Sequence, residues 1–205
     1  MDLSVGQAES ETEQRRRDVE AARTSHWWFS RRGPAFLDPL VRLLDPSEKR
    51  VRPYIRKGQV IADLGCGWGH SSFALADLVG AEGRVYSVDL AKKCIDAITK
   101  RAAKRGYPNI EAHVSTAADV RFIPDGSVDF IFANGLLCSM AVDRRLAVNE
   151  MRRILKPTGR AYLSLGSAPP FGYVDQTEWE VILADFNVER GGSFKDRWAL
   201  VSARR

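Results

Sequence analysis

Asp63-Leu64-Gly65-Cys66-Gly67-Trp68-Gly69-His70 is the stretch on which the reading of this chain turns. It follows Val60-Ile61-Ala62, a short apolar run of the kind a buried strand shows. It precedes Ser71 to Val79, which reads as a helix stopped by Gly80. In an open α/β sheet, ligands bind just outside the carboxyl ends of the strands, where such a turn lies. Glycines there let the backbone turn tightly and let a ligand approach without meeting a Cβ. The dinucleotide fingerprint is GxGxxG. Counted from Gly65, the third glycine comes one place early and His70 stands in the expected position, which counts against NAD or FAD. The lysine-serine pair of a Walker loop is missing, so that kind of phosphate cradle is excluded.

The acids on either side of the turn sharpen the choice. Asp89 ends the second strand, Val85 to Val88, 20 residues after Gly69. A carboxylate there accepts hydrogen bonds from the 2′- and 3′-hydroxyls of a ribose. Asp63 ends the first strand, where its charge would repel a diphosphate and attract an amino group or a sulfonium. The acid pattern therefore favours a cationic nucleoside over a dinucleotide.

Outward from the turn, strands and helices alternate with short connections. Ala91 to Arg105 reads as a helix with Ile95, Ile98 and Ala102 on one face, closed by Gly106 and Pro108. Ile110 to Val114 and Val128 to Ala133 read as strands. Asp143 is expected to cap a helix to about Leu155, with Ala147, Met151, Ile154 and Leu155 inward. Pro157-Thr158-Gly159 is expected to turn the chain into a fifth strand, Ala161 to Leu165. This alternation is the signature of βαβ units and a mainly parallel sheet. Asp175-Gln176-Thr177-Glu178 looks like a capping-box variant opening a helix to about Ala184. Val188 to Arg190 and Trp198 to Ala203 read as a closing hairpin. The expected fold is α/β: a Rossmann-like three-layer sandwich whose mostly parallel seven-stranded sheet ends in that hairpin, preceded by an N-terminal helical extension.

With these elements in order, residues 58 to 205 resemble a class I S-adenosylmethionine-dependent methyltransferase. The resemblance is to the group that includes quinone-ring and other small-molecule methyltransferases. It is carried by the DxGxGxG run at 63 to 69, by Asp89, by Val128-Asp129-Phe130, by Arg152-Arg153-Ile154-Leu155-Lys156-Pro157-Thr158-Gly159, and by the hairpin. It implies an enzyme with S-adenosylmethionine as cofactor and S-adenosylhomocysteine as product. By position, the backbone of Gly65, Cys66 and Gly67 faces the methionyl part, and Asp63 lies near its ammonium. Asp89 holds the ribose, Leu90 packs on the adenine, and Ala117 and Ala118 line the adenine edge. Asn134 offers its carbonyl near the methyl-transfer site. Two departures stand out. The family often has an acid where this chain has Ala117, so either Asp119 substitutes or the backbone alone reads the base. The loop from Asn134 to Met140 holds no histidine, and no catalytic base is assigned. That suits a carbon, thiol or acidic hydroxyl acceptor, or a base arriving from elsewhere.

The remaining features are less specific. Residues 1–24 are polar and charged and read as a mobile tail or frayed helix. Residues 25–57 read as an N-terminal helical cap, with Phe36, Leu37, Leu40, Val41 and Leu44 at helical spacing and a stop at Asp45-Pro46. His26-Trp27-Trp28-Phe29 either lines an acceptor pocket, or docks the cap onto the sheet, or touches a membrane surface. Trp27, Trp28, Leu137 and Cys138 are the candidate pocket residues, and Trp179 could border the same space. Cys66, Cys94 and Cys138 form no CxxC pair and no metal pattern with the three histidines, so no metal is expected and the thiols read as reduced in a cytoplasmic protein. His70 reads as a turn residue and His113 as a structural one. The polar N-terminus is unlike a signal peptide, and no run approaches the roughly 20 apolar residues of a membrane span. The net charge of +5 is spread out, apart from Arg15-Arg16-Arg17 among acids, so a nucleic-acid partner is not expected. The function expected is methyl transfer to a small, lipophilic molecule. An RNA or protein methyltransferase and a non-catalytic cofactor-binding scaffold are the alternatives.

Overall fold

The computed structural model describes residues 47–140, 143–165 and 174–204. Trp27, Trp28, the tail, most of the cap and the segment 166–173 lie outside the described residues.

Seven strands form one sheet: β1 (Val60–Leu64), β2 (Arg84–Asp89), β3 (Ile110–Val114), β4 (Val128–Asn134), β5 (Leu155–Ser164), β6 (Phe186–Gly191) and β7 (Trp198–Ala203). Their order is β3-β2-β1-β4-β5-β7-β6. The first five are parallel, and β7 runs antiparallel to both β5 and β6. The expected seven-stranded sheet with its closing hairpin is the one observed. The chain moves outward from β1 to β3 and then restarts on the other side of β1 at β4. A crevice therefore opens at the carboxyl ends of β1 and β4, the switch point where such sheets bind ligands.

The sheet divides the core in two because side chains alternate along each strand. Ile61, Val85, Phe130, Phe132, Tyr162 and Leu200 face one side. There they meet helix α1 (Ser47–Val51) through Val51 and α2 (His70–Val79) through Leu75, Ala76 and Val79. Helix α3 (Lys92–Arg105) covers the same side with Ile95, Ile98 and Ala102. Ala62, Leu64, Val88, Ile131, Ala133, Ala161 and Leu163 face the other side. They pack on α4 (Arg144–Ile154) through Ala147, Val148, Met151 and Ile154, and on α5 (Gln176–Leu183) through Trp179, Ile182 and Leu183. A central strand covered on both faces needs apolar groups throughout, which is why β1 and β4 read as runs rather than alternations. The described part of the cap belongs to this core, since Val51 and Ile55 are buried with β1 and α2.

Four local expectations change. Pro157-Thr158-Gly159 does not precede β5 but lies within it. Val128 pairs with Leu155 and Phe130 with Arg160, so residues 156–159 bulge out between them. A bulge is where a strand accommodates proline and glycine. Lys156 and the backbone N–H of Val60 both reach Asp129, at 2.7 and 2.9 Å, which fastens the bulge to β1. Asp143 does occupy the N-cap of α4, but its side chain does not cap. It accepts instead from the Thr116 hydroxyl at 3.1 Å and ties α4 to the loop after β3. Trp179 borders no open space; it is fully buried, with its indole N–H donating to the Gly192 carbonyl at 3.0 Å. The strand expected over Val188 to Arg190 extends to Phe186–Gly191. The N-cap half of the expected capping box forms, with Asp175 accepting from the Glu178 N–H at 2.8 Å, while the Glu178 carboxylate goes to Arg144 instead.

Glycines at positive φ are not equivalent in this frame. A Cβ on Gly69 (φ +79°) would lie 2.6 Å from Ile98 Cγ1, whereas one on Gly106 (φ +72°) would meet nothing within 4 Å. Gly69→Ala should therefore lose about 3 kcal/mol, from strained backbone and overpacking together, and Gly106→Ala about 1 kcal/mol from backbone alone. Urea unfolding of the two variants measures the difference. Equal losses would mean that α3 does not press on the glycine turn.

Candidate functional site

The turn after β1 is fixed from the β2 side. The N–H groups of Gly65 and Cys66 both donate to the Val88 carbonyl, at 2.8 and 3.0 Å. The Arg101 guanidinium of α3 binds the Trp68 carbonyl. The three glycines then serve three purposes. Gly65 has φ +74°, and a Cβ there would lie 2.9 Å from Leu136 Cδ1. Gly69 gives room to Ile98. Gly67 has φ +50°, and a Cβ there would meet nothing within 4 Å, so its face is open. Of the three, Gly67 marks where a ligand can approach the backbone closely.

Asp89 is turned into this space. One carboxylate oxygen accepts from the Gly67 N–H and the other from the Ala91 N–H, each at 2.8 Å. A carboxylate oxygen has two lone-pair directions, so each retains one for a hydroxyl donor. Asp89 is 7% exposed, so little of it meets bulk water.

Asp63 is the more unusual group. It is 2% exposed and accepts from the Ser72 hydroxyl at 2.6 Å. Burial pushes its carboxyl up to about 7, the Ser72 bond opposes this, and the neighbouring acids Asp89 and Glu48 push it further up. No lysine or arginine among the described residues forms an ion pair with it. The same surroundings push the Cys66 thiol up, through burial first and then the two aspartates, so Cys66 is a buried wall and not a nucleophile. A pocket that raises a carboxyl in this way is short of positive charge. A ligand carrying an ammonium and a sulfonium supplies it, and a ribose diol suits Asp89. The residues present fit S-adenosylmethionine.

The other half of the crevice is built from the ends of β4 and β5. The Asn134 amide donates to the Ser47 hydroxyl at 3.3 Å, and the Gly135 N–H meets both the carbonyl and the hydroxyl of Ser164, at 3.1 and 3.0 Å. Leu137 begins a 3-10 turn, Leu137–Ser139, and is fully buried in the larger core. Cys138 is half-buried, with its thiol donating to the Gly135 carbonyl at 3.1 Å. Arg144, itself buried, holds the Leu137 carbonyl at 2.8 Å and pairs with Glu178. Ala117 and Ala118 are each 4% exposed and face the α4 side of the core, and Leu90 is half-buried beside Asp89. Asp119 is engaged elsewhere, held by Arg121 through both carboxylate oxygens at 2.7 and 2.9 Å. His113 pairs with Glu111 at 2.8 Å and stacks on Phe122.

Three site residues escaped the sequence reading. Ser47 and Glu48 bring the start of α1 to Asn134 and to Asp63, and Ser72 holds Asp63 from α2. The Pro46-Ser47-Glu48 string does carry a helix-start signature. Nothing in it says which end of the sheet the helix meets.

Residues 61–159 match the family model of the methyltransferase domain. Over 142 residues the chain is 32% identical to nocamycin O-methyltransferase of Saccharothrix syringae, covering 67% of this chain and 46% of that one. Over 108 residues it is 31% identical to demethylmenaquinone methyltransferase of Geobacillus stearothermophilus, covering 53% and 45%. The chain thus spans just under half the length of these curated relatives. A solved S-adenosylmethionine-dependent methyltransferase from Aquifex aeolicus shares the fold, with a TM-score of 0.64 at 24% identity over 83% of this chain and 93% of that one.

The raised Asp63 carboxyl makes stability depend on pH. The folded state prefers the protonated acid, so its contribution is most favourable below the ordinary aspartate range near 4. It declines as pH rises and is fully lost above about 7. The full loss is on the order of 4 kcal/mol at about 1.4 kcal/mol per pH unit. Asp63→Asn keeps an acceptor for Ser72 without the charge. Urea unfolding should show the variant gaining little over the parent at pH 4 and a few kcal/mol at pH 8. A gain independent of pH would contradict this.

Proposed function

We propose, from the match of residues 61–159 to the methyltransferase domain family model, that this chain transfers a methyl group from S-adenosylmethionine to a small molecule. The observation that carries the reading is the pairing of two buried carboxylates, Asp63 and Asp89, around a backbone turn whose open face is Gly67. The cofactor supplies a methyl carbon already activated by a sulfonium leaving group.

The chain's own residues supply position and environment. Asp63 takes the ammonium of the methionyl part, directly or through water. Asp89 takes the ribose hydroxyls while it continues to hold the Gly67 and Ala91 N–H groups in place. Gly65, Cys66 and Gly67 present backbone to the methionyl chain. Leu90 packs on the adenine, and Ala117 and Ala118 line its edge. Asn134, fixed by Ser47 and Ser164 at the end of β4, would offer its carbonyl near the methyl-transfer site. Alignment of acceptor, methyl and sulfur in a water-poor crevice is the main catalytic contribution such a site makes.

The small-molecule acceptor is supported by relatives named for small acceptors, nocamycin and demethylmenaquinone. The lipophilic character, the pocket roles of Trp27, Trp28, Leu137 and Cys138, and a peripheral membrane contact through the cap all belong to this proposal. So does a cytoplasmic location. Among the described residues, no helix is long and apolar enough to cross a membrane.

Calorimetric titration tests the cofactor. S-adenosylmethionine should bind at one site and NADH should not. Asp89→Ala should weaken the binding about 30-fold, the roughly 2 kcal/mol expected for charge-assisted hydrogen bonds, with circular dichroism checking that the variant folds. Equal affinity of parent and variant, or no binding at millimolar concentration, would refute the reading.

A further inference from the structure

Contrary to expectation, the positive charge of the chain is not evenly spread. Lys49-Arg50-Val51-Arg52-Pro53-Tyr54-Ile55-Arg56-Lys57 carries five cations in nine residues and no acid. The fold sorts this run by chemistry. Val51 and Ile55 are buried and pack with β1 and α2. Lys49, Arg50, Arg52, Arg56 and Lys57 are all exposed. Apolar residues four apart on a helical turn share one face, so anchoring them inward turns the cations outward. Helix α1 and the 3-10 turn that continues it, Arg52–Tyr54, hold the cations in a row. Among the described residues, none of the five pairs with an acid.

The sheet beneath extends the row. Arg50 lies over the Trp198 ring, 4.7 Å from its centroid, and donates to the Tyr162 hydroxyl at 3.4 Å. Arg56 is braced on the carbonyls of Pro53 and Ile55, at 2.6 and 3.0 Å. Arg190 of β6 is exposed and donates to the Tyr54 hydroxyl at 3.1 Å. Arg160 of β5 lies over the Tyr54 ring at 5.9 Å, and its charge is matched by Glu189. Two acids, Glu48 and Asp77, line the groove between α1 and α2 together with Lys49 and Arg52, and they leave the cations in excess. Ser47, at the start of α1, accepts from the Asn134 amide at 3.3 Å, so this face begins at the rim of the crevice.

We propose that this face, Lys49 to Lys57 with Arg190, seats the protein on an anionic phospholipid surface, from which a lipophilic acceptor enters the crevice. This rests on the reading of the crevice as a methyl-transfer site for a lipophilic molecule. Each basic residue near an anionic leaflet adds an attraction that reaches about a Debye length, so such a row needs a charged plane and no shaped pocket. Cations already held on rings and carbonyls lose less freedom on docking than those of a loose tail. The same rings argue against single-stranded RNA as the partner. RNA is gripped by bases stacking on open ring faces. Here Trp198 is stacked on Tyr162 and covered by Arg50, and Tyr54 carries Arg160.

Co-sedimentation of the full chain with sucrose-loaded vesicles tests this. Phosphatidylcholine vesicles containing about one third phosphatidylserine should retain the protein at about 0.05 M salt and release it at about 0.5 M, and vesicles of phosphatidylcholine alone should not retain it. Removing three charges together, Lys49→Gln, Arg52→Gln and Lys57→Gln, should weaken the partition about 100-fold, roughly fivefold for each residue. All three side chains are exposed, so the variant should keep its fold, which circular dichroism checks. Equal partition onto the two kinds of vesicle, or a variant that partitions like the parent, overturns the proposal. Retention on polyuridylate rather than on vesicles at equal phosphate concentration overturns it too, and marks the face as an RNA site. Calorimetry with S-adenosylhomocysteine on the same samples separates the two readings. Binding of that ligand without vesicle association removes the membrane contact and leaves the methyltransferase. Vesicle association without ligand binding leaves a peripheral membrane protein with no methyl donor, which overturns the delivery of an acceptor.

Discussion

Asp63 stands at the end of the central strand with its charge opposed by burial and by two neighbouring acids. Nothing in the packing of the sheet calls for a carboxylate there, since Ile61, Ala62 and Leu64 around it are wholly buried and apolar. Ser72 offsets part of the loss with one hydrogen bond, and the glycine turn that follows keeps the space in front of it open. The surrounding architecture serves this group. Val88 pins the turn, α3 presses on Gly69, and α1 brings Glu48 close. A site poised in this way is less stable without its cation than it would be with an apolar or amide side chain, a trade of stability for binding that is general at functional sites.

Much of this was legible in the residues, for a physical reason. Parallel strands buried on both faces leave short apolar runs, and the helices between them show a 3.6-residue stripe. Val60-Ile61-Ala62, Val128 to Ala133 and the Ile95, Ile98, Ala102 face are cases in which local pattern and tertiary position agree. The carboxylates could be found because they end strands, and strand ends are where ligands bind in such sheets. Asp175 could be found because an N-cap is a local interaction.

What failed depended on contacts between distant residues. Asp143 has the right type for a cap, but Thr116, 27 positions earlier, takes its carboxylate. Lys156 to Gly159 has the composition of a turn, yet its neighbour in space is Asp129, and pairing with β4 resumes beyond it. Trp179 carries a polar N–H that a rim position would satisfy, but the Gly192 carbonyl satisfies it inside the core. Ser47 and Glu48 were invisible as site residues because their roles arise only when α1 meets β1 and β4.

The central claim is that the Asp63 carboxyl is held out of its ordinary range until a cation arrives. Nuclear magnetic resonance titration of the Asp63 side-chain carboxyl, in the free protein and with S-adenosylhomocysteine bound, measures it directly. The account predicts a midpoint near 7 in the free protein, falling well into the acid range when the ligand's ammonium is in place. An ordinary carboxyl midpoint in the free protein, or a raised one that the ligand leaves unchanged, would contradict it.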